Sequence, residues 1–145
     1  MPREQSYANH ARYLPLYHFI VLPLFALHLI ATIVYAVLHP RDWMNWWQVV
    51  VAVALLLFLW AARLMALTVQ NRLIRLEETL RLQRLLPDEL RPRAGELRTS
   101  QLIAMRFCSD EELPELCRAV LNGEVKSADE IKRRVKSWRP DWLRA

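Results

Sequence analysis

Residues 14–38 and 43–62 form two long apolar stretches, separated only by the polar break His39-Pro40-Arg41-Asp42. Neither stretch contains Asp, Glu, Lys or Arg, and the second runs directly into Arg63. A bilayer core about 30 Å thick takes roughly 20 apolar residues per helix. Backbone amides cannot stay unpaired in hydrocarbon, so stretches of this length should be helical. The short break leaves room only for a tight turn. The expected fold is all-α, a two-helix transmembrane hairpin. The first stretch is too long for a signal-peptide core and ends at Leu38-His39-Pro40 without an A-x-A site, so it is expected to be retained.

Only Gly95 and Gly123 are glycines, whereas Leu, Arg, Ala and Glu abound, which favours helices over sheet in the rest of the chain. The net charge of +5 does not point to nucleic acid in a chain of this kind. Arg and Lys gather on the cytoplasmic side of membrane proteins, facing anionic headgroups. The two cysteines, Cys108 and Cys117, form no C-x-x-C pattern and read as small buried hydrophobes.

Charge asymmetry sets the orientation. Arg3 and Arg12 precede the first stretch, and Arg63, Arg72, Arg75, Arg81 and Arg84 follow the second, while the break holds only Arg41 beside Asp42. Both termini are therefore expected to be cytoplasmic. Trp43, Trp46 and Trp47 at the far end, with Tyr13 and Tyr17 at the near end, fit interfacial aromatic belts. The chain then divides into an N-terminal arm (1–13), the hairpin (14–67, spans at about 15–38 and 43–64), a cytoplasmic helical extension (68–86) and a small helical tail (87–145).

No breaker occurs between Trp43 and Leu86, so the second span and its extension are predicted to be one helix, about 66 Å long at 1.5 Å per residue. Along the extension Ala62, Ala66, Val69, Leu73, Leu76 and Leu80 follow a 4-3-4-3-4 spacing, a heptad-like seam suited to self-association. Ile74, Leu82, Leu85 and Leu86 lie off that seam, so a second face should also be buried, by the chain's own tail or by another copy. In the tail, Ser109-Asp-Glu-Glu112 and Ser127-Ala-Asp-Glu130 read as capping boxes. The second is predicted to open a helix carrying Ile131, Val135 and Trp138 on one face until Pro140 stops it. Asn122-Gly123 reads as a helix C-terminus, and Pro114 should kink the preceding helix or delay its start.

The segments Gln5-Ser-Tyr-Ala-Asn-His-Ala-Arg-Tyr-Leu-Pro-Leu-Tyr-His18, Val69-Gln-Asn-Arg-Leu-Ile-Arg-Leu-Glu-Glu78, Gln101-Leu-Ile-Ala-Met-Arg-Phe107 and Ile131-Lys-Arg-Arg-Val-Lys-Ser-Trp-Arg-Pro-Asp141, with the stop at Arg84-Leu-Leu-Pro87, give the chain a likeness. It resembles a bacterial family of small two-span membrane proteins known only as a domain of unknown function. That resemblance implies an inner-membrane location and supplies no activity, ligand or catalytic residue.

Asn9, His10, Arg12, Tyr13, Tyr17 and His18 form the least ordinary polar cluster. It reads as a headgroup or cofactor site, a dock on the tail, or an interfacial collar of amphipathic side chains. His18 and His28 are intramembrane ionisable groups, which are functional candidates by default. Ten residues apart on one helix they are about 15 Å apart, so one chain cannot clamp a haem between them. Two copies of His28 across a dimer axis could. No cofactor and no metal is otherwise expected.

Asp110, Glu111, Glu112 and Glu115 suit a helix N-terminus, and no nucleophile-elbow, Walker or H-E-x-x-H motif occurs, so no enzyme is expected. The basic run from Lys132 to Arg139 reads as lipid contact or a solvated face. The reading is a non-catalytic inner-membrane scaffold or accessory component, partnered by the bilayer and by a homo-oligomer or larger membrane complex. The alternatives are a redox subunit holding haem through His18 or His28, and a membrane-anchored regulatory module whose cytoplasmic tail binds a partner.

Overall fold

The computed structural model describes residues 5–10 and 13–141. Among them the chain forms helices and no strand, and divides into two compact units, one of residues 13–67 and one of residues 5–10 with 68–141.

In the first unit a π-helical turn, Leu16–Val21, leads into α1, Leu22–Leu38. The change of winding falls just before Pro23, which has no N–H to donate back along the helix; a wider turn lets the neighbouring carbonyls find other donors. Asp42 starts α2, Trp43–Leu85, by accepting a hydrogen bond from the Met44 amide (3.0 Å). The turn between the helices is sewn shut by Asn45 Nδ2 donating to the His39 carbonyl (3.0 Å) and Trp46 Nε1 donating to the Pro40 carbonyl (3.3 Å). Both helices are long and apolar enough to cross a membrane, with mean hydropathy 2.4 and 2.5 in their apolar windows, of which only 6% is buried. The core helix of a water-soluble protein would be mostly covered. Within residues 13–67 only the small side chains Ala36 and Ala52 are buried.

α2 continues without interruption for 43 residues, so one helix passes from the hairpin into the second unit. Beyond it come a 3-10 turn, Arg91–Glu96, then α3, Thr99–Met105, α4, Leu113–Leu121, and α5, Ala128–Arg134. α3 packs on α4 and α5, and Leu82 of α2 and Leu86 just after it join their core with Met105, Cys108, Leu113, Cys117 and Ile131. The tail has too few apolar residues for a large core of its own, and the end of α2 supplies part of it.

Three local features differ from the sequence reading or refine it. Pro114 delays α4 and kinks nothing: it occupies the first turn, where its missing N–H costs nothing. Ser109 Oγ still accepts the Glu112 amide (3.4 Å), but the Glu112 carboxylate does not close a capping box. It accepts the amides of Lys136 (3.1 Å) and Ser137 (3.2 Å) instead. Those two bonds, with the Arg139 amide donating to the Phe107 carbonyl (2.7 Å), hold the chain from Val135 onward out of the helix. α5 therefore ends at Arg134, and Trp138 reaches the core through a single antiparallel bridge to Cys108, not along a helix face. The box at Ser127 forms as the residues predict: Ser127 Oγ accepts the Glu130 amide (3.1 Å) and the Glu130 carboxylate accepts the Ser127 amide (3.4 Å). α4 ends at Gly123 (φ 78°), which lets the Glu124 amide donate to the Ala119 carbonyl (3.0 Å).

Candidate functional site

Past the apolar part of α2 the helix has two opposed faces, since side chains advance about 100° per residue. On one, Ile74, Glu78, Arg81 and Leu82 are buried beneath the tail, as is Leu86 just past the helix end. Arg81 binds that face together: Nε donates to Asp110 Oδ1 (2.7 Å), Nη1 to Glu78 Oε2 (3.0 Å) and Nη2 to the Cys108 carbonyl (2.6 Å). Burial pushes the Glu78 carboxyl above its ordinary range, against the pull of the Arg81 guanidinium. The hydrogen bond from Arg81 holds Asp110 below its ordinary range.

On the opposite face Val69, Leu73, Leu76 and Leu80 remain 67%, 54%, 56% and 57% exposed, and Ala62 and Ala66 extend the exposed row toward the hairpin. The tail takes the off-seam face and leaves the heptad seam open. A cleft of about 820 Å³ borders the seam, with Gln70, Leu73, Glu77, Leu80 and Arg84 on the α2 side and Arg106, Arg139 and Asp141 on the tail side. Arg106 Nε lies 2.8 Å from Asp141 Oδ2, and its guanidinium stacks 4.2 Å from the Phe107 ring centre.

The N-terminal polar cluster is split between the two units. Asn9 and His10, with the preceding Gln5 and Tyr7, belong to the unit that holds the tail. Buried Gln5 accepts the Asp141 amide (2.8 Å), and Tyr7 Oη donates to Asp129 (2.6 Å) while accepting from Arg133 Nε (3.1 Å). His10 Nδ1 lies 2.6 Å from the Tyr7 carbonyl and Nε2 3.1 Å from Lys132 Nζ. The neutral tautomer with the proton on Nδ1 satisfies both contacts. The ring packs against the Phe107–Trp138 pair, at 5.8 and 6.0 Å from their ring centres. Asn9 closes the local turn by accepting the Ser6 amide (2.6 Å).

The second half of the cluster belongs to the hairpin. Tyr17 Oη donates to the Leu59 carbonyl (3.5 Å), Arg63 lies 5.7 Å from the Tyr17 ring centre, and His18 is flanked by Tyr13 and Tyr17 with Nδ1 3.0 Å from the Leu14 carbonyl. Arg12 lies outside the described residues. His28 is exposed on α1. Among the described residues no three His, Cys, Asp or Glu side chains converge.

The basic run is largely engaged in the tail's own structure: Lys132 with His10, Arg133 with Tyr7 and Asp129, and Arg134 with Glu124 at 3.7 Å. Cys108 and Cys117 are buried and free, their thiols pushed up to about 12 and about 11 chiefly by burial.

One feature escaped the sequence reading. Glu78 and Arg81 lie on the same arc of α2 as Ile74 and Leu82, and that arc was the available signal that an ion pair goes under the tail. Docking on the tail was one reading of the N-terminal cluster, but the partners of Gln5, Tyr7 and His10, more than 120 positions away, left no local signal.

Compared with curated proteins and with solved structures, the chain finds no match. The family of unknown function DUF6526 matches it over residues 1–145, and the chain belongs to that family.

Proposed function

We propose that the protein is a non-catalytic scaffold or accessory component of a bacterial inner-membrane assembly. In this reading the hairpin sits in the bilayer, both termini are cytoplasmic, and the α2 extension carries the surface through which the protein assembles. One observation carries it: Val69, Leu73, Leu76 and Leu80 lie beyond the charge-free span and are more than half exposed, while the tail occupies the other face of the same helix. Apolar rows of this kind in water mark interaction sites. Fixing the tail to the opposite face leaves this row free for a partner.

The test is the size of the native assembly. Full-length protein carrying Leu73→Lys and Leu76→Lys, solubilised from its own membranes, should migrate as a smaller species than the unsubstituted chain. An unchanged assembly would overturn the proposal. Reporter fusions at residue 41 and at the C-terminus check orientation, and an external C-terminal reporter would reverse it.

A further inference from the structure

We infer that the partner on the uncovered face of α2 is a second copy of this chain, held parallel and in register. The inference deepens the assembly reading above and rests on it. In heptad terms Ala66, Leu73 and Leu80 take the a positions, and Ala62, Val69 and Leu76 the d positions. All six are exposed, and the four larger ones form a continuous apolar row. The same register fixes the flanks. Gln70, Glu77 and Arg84 become e residues; Met65, Arg72 and Thr79 become g residues.

In a parallel in-register pair each g residue faces the e residue of the following heptad on the other helix, and such pairs set orientation. The three facing pairs are then Met65 with Gln70, Arg72 with Glu77 and Thr79 with Arg84. One is of opposite charge, none is of like charge, and two-fold symmetry makes each occur twice. An antiparallel pair would match g with g and e with e, so Arg72 would lose Glu77.

The tail leaves room for it. The e-edge residues Gln70, Glu77 and Arg84 form one wall of the 820 Å³ cleft beside the seam. That space receives the Arg72 side chain of the second copy next to Glu77. At the upper end, the alanines at positions 62 and 66 let two helix backbones approach closely.

The experiment uses purified full-length protein reconstituted alone in nanodiscs and in detergent. Single substitutions Leu73→Cys and Leu76→Cys should crosslink to covalent dimers under mild oxidation. Arg75→Cys, exposed but off the seam, should not. Cys108 and Cys117 can stay in place because both are buried. Arg72→Glu or Glu77→Arg alone should weaken dimerisation roughly tenfold, as two surface pairs turn repulsive, and the two changes together should restore it.

Equal crosslinking at position 75, or loss from the single reversals without rescue by the double, would overturn the parallel register. A purified protein that stays monomeric, while the native assembly still depends on Leu73 and Leu76, would overturn the second copy as partner and leave the scaffold reading standing. A native assembly indifferent to those leucines would remove both.

Discussion

The hairpin and the tail are built from much the same apolar residues and put them on opposite sides. In the hairpin, Leu57, Phe58 and Trp60 are 59%, 72% and 61% exposed; in the tail, Phe107, Leu113 and Ile131 are fully buried. The first arrangement suggests a membrane around the hairpin, since apolar surface is unfavourable in water. Hydrocarbon around the hairpin would remove the need to hide those side chains, and water around the tail restores it. On α2 the face at Val69, Leu73, Leu76 and Leu80 follows neither pattern: apolar, past the charge-free stretch, and uncovered. That exception is why the assembly surface is assigned there.

The largest expected effect falls on the covered face. Arg81→Ala strands Glu78 and removes the donor to the Cys108 carbonyl, so it should destabilise the second unit by about 3–5 kcal/mol, as breaking buried ion pairs does. Hydrogen exchange at α3 and α4 in the full-length protein measures this. Unchanged protection would mean that the tail is not held to α2 through this triad.

Next comes a matched pair of substitutions. Leu82→Ala, in the core, should cost about 2–5 kcal/mol, and Leu57→Ala, on the exposed surface of the hairpin, a small fraction of that. Equal losses in a detergent-based unfolding assay would erase the contrast between the two regions.

Ser127→Ala removes the side-chain acceptor that caps α5 and should cost roughly 1 kcal/mol, read as faster exchange of the α5 amides. A silent change would show that docking of residues 5–10 holds α5 without its cap.

The smallest effects are chemical. Asp110, Asp129 and Glu130 are held below their ordinary values of 3.8, 3.8 and 4.5, by bonds from Arg81, from Tyr7 and from the Lys126 and Ser127 amides respectively. A depressed carboxylate contributes stability above its unfolded pKa and loses it as pH falls through the folded one. The tail should therefore loosen as the pH is lowered through and below the ordinary carboxylate range. Glu78, pushed the other way by burial, opposes this by protonating first. A melting temperature flat across that window would contradict the assigned contacts. The Cys108 and Cys117 thiols, at about 12 and about 11, should resist alkylation at pH 8 until the chain is unfolded. Rapid labelling of the native protein would show an open core.

Much of this was legible locally. The Asn122-Gly123 stop, the Ser127 box and the uninterrupted run from Trp43 depend on residues within a few positions of one another, so their physics is contained in the sequence. The end of α5 was not: Lys136 and Ser137 read as helical until the Glu112 carboxylate, two dozen residues earlier, claims their amides. The N-terminal cluster shows the same limit: His10 finds Lys132, as its neighbour Tyr7 finds Asp129, while Tyr17 finds Leu59, and no local pattern named those partners.

The sequence by itself determined that the chain is helical, that two helices are apolar enough to span a bilayer, and where the heptad row lies, because periodicity and length are local properties of a helix. Which face of α2 the tail would cover was decided only in three dimensions. Both faces carry enough leucine to be buried, and the choice fell to Arg81, whose guanidinium reaches Glu78, Asp110 and the Cys108 carbonyl only when the tail lies over Leu82 and Leu86.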